Sequence, residues 1–126
     1  MSKMILDASA LLALISQEKG AEIVEQALPD AVISTVNLSE VATVLHRIGI
    51  PSEDIQHMLL DLLPSVSFDD VQAFIAAEFI GITHAKGLSF GDRACLALGL
   101  KLGRPVLTTD NAWAELNAGV QVILIR

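Results

Sequence analysis

Four acidic residues stand at comparable places along this chain. Asp7 directly follows the apolar run Met4-Ile5-Leu6, and Asp110 follows Val106-Leu107-Thr108. Glu40 and Asp92 fall in the first turns of helices expected to start at Asn37 and Ser89. If the apolar runs are strands of one parallel sheet, their carboxyl ends share an edge and the four carboxylates meet there. The sequence supplies no matching set of cations. Arg93 is the one basic neighbour, and on a helix it points about 100° away from Asp92. Crowded carboxylates raise one another's pKa and repel. Hard divalent ions such as Mg²⁺ or Mn²⁺, which take oxygen ligands and retain water, resolve that conflict. Each acid also has a structural account. Asn37-x-x-Glu40 and Ser89-x-x-Asp92 read as capping boxes, and Asp7 and Asp110 as N-caps. Capping explains any one of them; the joint placement at one edge points to metal chemistry.

The elements that must position these acids are legible from punctuation and period. Short apolar runs (Met4 to Leu6, Ala31 to Thr35, Val66 to Phe68, Pro105 to Thr108, Val120 to Ile125) alternate with helical segments. In the helix after Asn37, apolar Leu38, Val41, Val44, Leu45 and Ile48 recur at three- and four-residue spacing. Another helix carries Ile55, Leu59 and Leu62 on one face. Further helices are expected after Ser9, around Glu22 to Leu28, from Asp69 towards His84, from Ser89 to Leu102, and from Asn111 to Asn117. Strands this apolar are buried on both faces. The expectation is a three-layer α/β domain, with a central, mainly parallel sheet of four to five strands flanked by helices. Ligands of such sheets bind beyond the carboxyl ends of the strands, where strand order reverses.

Composition narrows the chemistry. The chain has 126 residues, suited to a single domain over 1–126. It is 52% hydrophobic and carries a net charge of −7. Holding nucleic acid by a basic surface alone is excluded, because phosphate neutralisation needs Lys and Arg. Two divalent ions would bring −7 to −3, with the positive charge concentrated at the site. No apolar run approaches the roughly 20 residues of a membrane span. No signal-peptide pattern is present, and the single Cys95 fits a reducing cytoplasm. His46, His57 and His84 lack zinc-site spacing. Ser9 lacks the glycines of a nucleophile elbow, and Gly87 to Gly91 lacks the lysine of a phosphate loop.

Four segments in order, Ile5-Leu6-Asp7-Ala8-Ser9-Ala10-Leu11, Asn37-Leu38-Ser39-Glu40-Val41, Gly87-Leu88-Ser89-Phe90-Gly91-Asp92-Arg93-Ala94-Cys95-Leu96-Ala97 and Val106-Leu107-Thr108-Thr109-Asp110, resemble a PIN domain. The likeness is greatest to the single-domain VapC-type toxins of bacterial toxin–antitoxin pairs, and it covers essentially the whole chain. It implies that Asp7, Glu40, Asp92 and Asp110 form the metal site, with Ser9 and Thr109 as supporting hydroxyls. It further implies a Mg²⁺- or Mn²⁺-dependent endoribonuclease, using one or two ions and leaving a 5′-phosphate and a 3′-hydroxyl. A cognate antitoxin would inhibit it. Asn111 departs from the charged residue that many relatives have after the last acid. Arg93, Lys86 and Lys3 are candidate phosphate contacts.

Two other functions remain open on the sequence. A receiver-type phospho-acceptor module also gathers acids around Mg²⁺. It calls for neighbouring acids after the first strand, where only Asp7 stands, and for a late lysine, where the chain has Arg126. A PIN-like domain could instead bind RNA or a partner without cutting; the four intact acids argue against that. The apolar excess marks Leu11 to Ile15 and Ile55 to Leu63 as candidate surfaces for a homodimer or for an antitoxin's amphipathic segment.

Overall fold

Adjacent residues of each strand enter opposite cores, which is why the strands read as unbroken apolar runs. Leu6, Ile33 and Leu107 pack on one side of the sheet with Leu11, Leu45 and Leu59. Their neighbours Ile5, Val32 and Val106 pack on the other with Leu96, Leu98 and Trp113. The two-residue period of a strand, with both faces covered, requires this division. The computed structural model describes residues 4–126, apart from the side chains of Thr83 and Ala85.

Five strands form the sheet: β1 (Met4–Leu6), β2 (Ala31–Ser34), β3 (Ser65–Val66), β4 (Val106–Thr108) and β5 (Val122–Leu124). Their order is β3-β2-β1-β4-β5, with every pairing parallel. The expected three-layer α/β architecture is therefore present, with all five strands running one way. The chain moves outward from β1 to β2 and β3, then returns to β1's other side for β4 and β5. Strand order thus reverses between β1 and β4, the place where open parallel sheets bind ligands.

Helices α1 (Ala8–Ile15), α2 (Ala21–Ala27), α3 (Thr35–Arg47) and α4 (Ser52–Leu62) accompany the first core. Helices α5 (Asp70–Glu78) and α7 (Phe90–Leu102), joined by the short α6 (Ile80–Thr83), accompany the second. Asp69 caps α5, and Ser89 caps α7 in a full capping box with Asp92. Gly103 ends α7 in the left-handed conformation at φ 64°, a backbone region that favours glycine.

Two local expectations require correction. Helix α3 begins at Thr35, not Asn37, because Ser34 at the end of β2 turns its side chain onto the Val36 amide. Glu40 consequently lies in the second turn, and Asn37-x-x-Glu40 is not a capping box. The segment after Asp110 forms one 3-10 turn, Asn111–Trp113, in place of a helix reaching Asn117.

Candidate functional site

Asp7 is the innermost of the four acids. It caps α1 by accepting from the Ala10 amide on Oδ1 at 2.8 Å, and Ser9 Oγ donates to the same oxygen at 2.7 Å. Thr108 Oγ1 donates to Oδ2 at 2.6 Å. The residue is 4% exposed. Burial drives its pKa from 3.8 up to about 6, against the pull of these three donors, and the Asp92 charge adds to the rise. Hydroxyls and amides orient an anion here but bring no countercharge to it.

The other acids rise from Asp7 towards solvent. Asp92 is half-buried; its Oδ2 accepts the Ser89 amide at 2.9 Å. Its pKa is also raised, first by burial and with a contribution from the Asp110 charge. Asp110 is exposed and caps the following 3-10 turn through the Ala112 amide at 2.9 Å. Glu40, also exposed, accepts on Oε1 from Asn37 Nδ2 at 2.7 Å. The same Nδ2 reaches the Gly91 carbonyl at 3.0 Å, linking α3 to the start of α7. Beneath the cluster lies the buried Cys95 thiol. Its pKa is pushed well above the usual range by burial, then by Asp7, Asp92 and Glu40. The charges of three of the acids thus reach this thiol, and Asp110 acts in turn on Asp92 and bonds Thr108 through its amide.

Hydroxyls stitch the end of β1 to the end of β4. Thr108 Oγ1 donates to Asp7 and accepts the Asp110 amide at 3.1 Å. Ser9 Oγ donates to Asp7 and accepts the Thr109 amide at 3.0 Å. Ser9, which the resemblance implies as a supporting hydroxyl, lies between Asp7 and the Thr109 amide. Thr109 contributes its backbone amide to this bond, while the hydroxyl on Asp7 is that of Thr108. Sequence reasoning missed Thr108 because the two threonines are adjacent and only the phase of β4 tells them apart. The signal was the position of Thr108 as the last strand residue, where a polar side chain ends a buried run.

The remaining candidates lie elsewhere. Arg93 Nη1 donates to the Ala76 carbonyl at 3.0 Å, and its guanidinium lies 5.8 Å from the Phe90 ring centroid. It is turned onto α5, as its angular offset from Asp92 anticipates. Lys86 is ion-paired with Glu115 at 3.6 Å. Asn111 is exposed within the turn that Asp110 caps. Lys3 lies outside the described residues.

Three ion pairs form among the described residues, Lys86–Glu115, Lys101–Asp69 and Arg126–Glu18, and none includes the four acids. No three acidic, histidine or cysteine groups among the described residues form a ready-made ion cage. The donor set is open, composed of oxygen, and lacks countercharge. That suits a hard divalent ion bound by a few carboxylates that keeps much of its water.

The PIN domain family model matches residues 4–119. Ribonuclease VapC42 of Mycobacterium tuberculosis is 32% identical over 115 residues, covering 82% of this chain and 88% of the relative. Among solved structures, DNA-bound VapBC from Salmonella typhimurium aligns over 100% of both chains with a TM-score of 0.76 at 15% identity. VapC20 of Mycobacterium tuberculosis, described as a sarcin–ricin loop cleaving toxin, aligns over 92% of this chain and 98% of its own. Its TM-score is 0.72 at 18% identity. With a buried acid at the β1–β4 switch point and a family match over nearly its whole length, the chain belongs to the PIN domain family.

Proposed function

We propose that this chain is the ribonuclease toxin of a toxin–antitoxin pair. It would hydrolyse RNA phosphodiester bonds with Mg²⁺ or Mn²⁺ held by Asp7, Asp92 and Asp110, with Glu40 beside them. The observation that carries this reading is the acid cluster at the strand-order reversal, buried at Asp7 and open to solvent at Glu40 and Asp110. Family membership and the VapC relatives support the same reading.

A bound divalent ion supplies a water of lowered pKa and offsets charge on the phosphoryl oxygens. The chain's own groups do the positioning. Ser9, Thr108 and the Ala10 amide hold both oxygens of Asp7 in place, so no rotamer search precedes ligation. The capping contacts of Asp92 and Asp110 each engage one oxygen and leave the other for an ion or its water. Glu40, anchored through Oε1, would be placed to accept a hydrogen bond from an attacking water and orient it. With a net charge of −7, phosphate approach depends on the bound ion.

The antitoxin has a surface to fit. Leu14, Ile15, Leu28, Met58 and Leu62 line an apolar groove of about 370 Å³, bordered by Gln17 and Glu25. The groove joins the two segments, Leu11 to Ile15 and Ile55 to Leu63, that the sequence marked as interface candidates. An amphipathic antitoxin segment would bury its apolar side there. No described helix is long and apolar enough to cross a membrane.

The test is cleavage of structured RNA by purified protein with Mn²⁺, with new 5′ ends mapped. Cleavage is expected to vanish with a chelator and in Asp7→Asn at unchanged folding. Equal activity in Asp7→Asn, or activity that survives chelation, overturns the reading.

A further inference from the structure

Asn37 is a polar residue whose burial capping does not explain. It is 1% exposed in the first turn of α3, a helix that Ser34 already caps. Its Nδ2 meets two acceptors, Glu40 Oε1 at 2.7 Å and the Gly91 carbonyl at 3.0 Å. Neither acceptor can donate, so the amide nitrogen must be the atom that faces them. Asn37 Oδ1 is buried as well and has no hydrogen-bond partner among the described residues. An unpaired buried carbonyl costs stability, so the amide is poorly explained as a device for folding alone.

Gly91 completes the arrangement. Its φ is not positive, so backbone freedom does not account for the glycine. A Cβ there would collide with the Glu40 carboxylate, including Oε2. The carboxylate lies flat against the first turn of α7, the turn that carries Asp92.

We infer that Asn37 is a positioning residue for Glu40, clamping its Oε1 to the start of α7 while Gly91 provides the clearance. Oε2, which accepts no hydrogen bond among the described residues, is left as the working oxygen. The inference rests on the ribonuclease reading and adds to it the residues that set the distance between Glu40 and Asp92.

Asn37→Leu, similar in volume but without donors, is expected to lower kcat by about 10- to 100-fold with little change in KM for RNA. Calorimetric titration should show Mn²⁺ binding weakened in parallel. In a Glu40→Ala background the same substitution should change neither quantity further. Gly91→Ala is an independent variant and carries the decision should Asn37→Leu not fold. It should lower Tm and kcat in the otherwise native chain, and lower neither once Glu40→Ala has removed the obstructing carboxylate. Native kcat and Mn²⁺ affinity in Asn37→Leu would overturn the inference. So would equal losses with and without Glu40. If the native chain neither binds Mn²⁺ nor cleaves RNA, the ribonuclease reading fails. The melting temperatures of the same variants then decide the positioning separately, with non-additive shifts supporting it and additive shifts overturning it.

Discussion

Asp7 and Asp69 do the same local job in opposite surroundings. Each is an N-cap whose Oδ1 accepts the backbone amide three residues on, at 2.8 Å for Asp7 and 2.9 Å for Asp69. Asp69 stands in solvent at the head of α5 and meets Lys101 Nζ at 2.5 Å. The Lys101 contact, followed by the Gln72 amide, holds its carboxyl below the usual range. Asp7 is buried, meets only neutral donors, and is raised to about 6. Capping therefore does not tell these two acids apart. Surrounding charge and solvent do, and an acid buried without a cation is the one for which an arriving ion removes a standing penalty.

The largest expected contrast is in catalysis. Asp7→Asn should reduce RNA cleavage by about a thousandfold or more. Asp69→Asn should leave kcat/KM at the native level under the same Mn²⁺ assay. Comparable losses in both would mean that the two caps differ in nothing the reaction uses.

The next contrast is in pH dependence. The folded-state pKa of Asp7 lies above its unfolded value, so the folded form binds the proton more tightly. Its contribution to stability is full below pH 3.8 and is lost as pH rises to about 6. The shift corresponds to about 3 kcal/mol. Denaturant unfolding of metal-free protein should therefore show the native chain losing about that much relative to Asp7→Asn between pH 4 and 7. Asp69, with its pKa lowered, has the opposite sign: its contribution is present at neutral pH and lost on acidification. A native-minus-variant difference that stays flat with pH would show that Asp7 bears its charge at no cost.

Thr108→Val keeps the shape but removes the hydroxyl from Asp7 Oδ2 and from the Asp110 amide. Mn²⁺ affinity measured by titration should fall about 10- to 100-fold, as for other groups that orient a metal ligand. Thr109→Val should have much less effect, because the Thr109 contact with Ser9 is made by the backbone. The smallest effect belongs to Lys101→Ala. It removes a solvent-exposed pair, and such pairs contribute little. Its Tm should shift least of the set, and its cleavage should match the native chain.

Much of the fold was readable because each signal was local. Strand runs such as Met4 to Leu6, the apolar spacing of Val41 and Leu45, and the terminator Gly103 depend on residues close in the chain. The receiver alternative was already weakened by the lone Asp7, and family membership now sets it aside. The misplaced start of α3 arose where two capping signals compete within four residues. Asn37 and Ser34 are both good caps, and Ser34 prevails because β2 ends there with its side chain on the Val36 amide. Arg93 was rightly read as facing away from Asp92, but its destination on the Ala76 carbonyl depends on how α5 packs against α7.

The amino-acid order by itself determined the alternation of strands and helices, the burial of the strands on both faces, and the acids Asp7 and Asp110 just past the ends of β1 and β4. It could do so because hydrophobic period and capping chemistry act over a few residues. Tertiary structure alone decided that Thr108 holds Asp7, that Gly91 makes room for Glu40, and that Asn37 spans two helices. Those contacts join residues 51 to 101 positions apart. Their geometry is set by sheet register and helix packing, which no local pattern encodes.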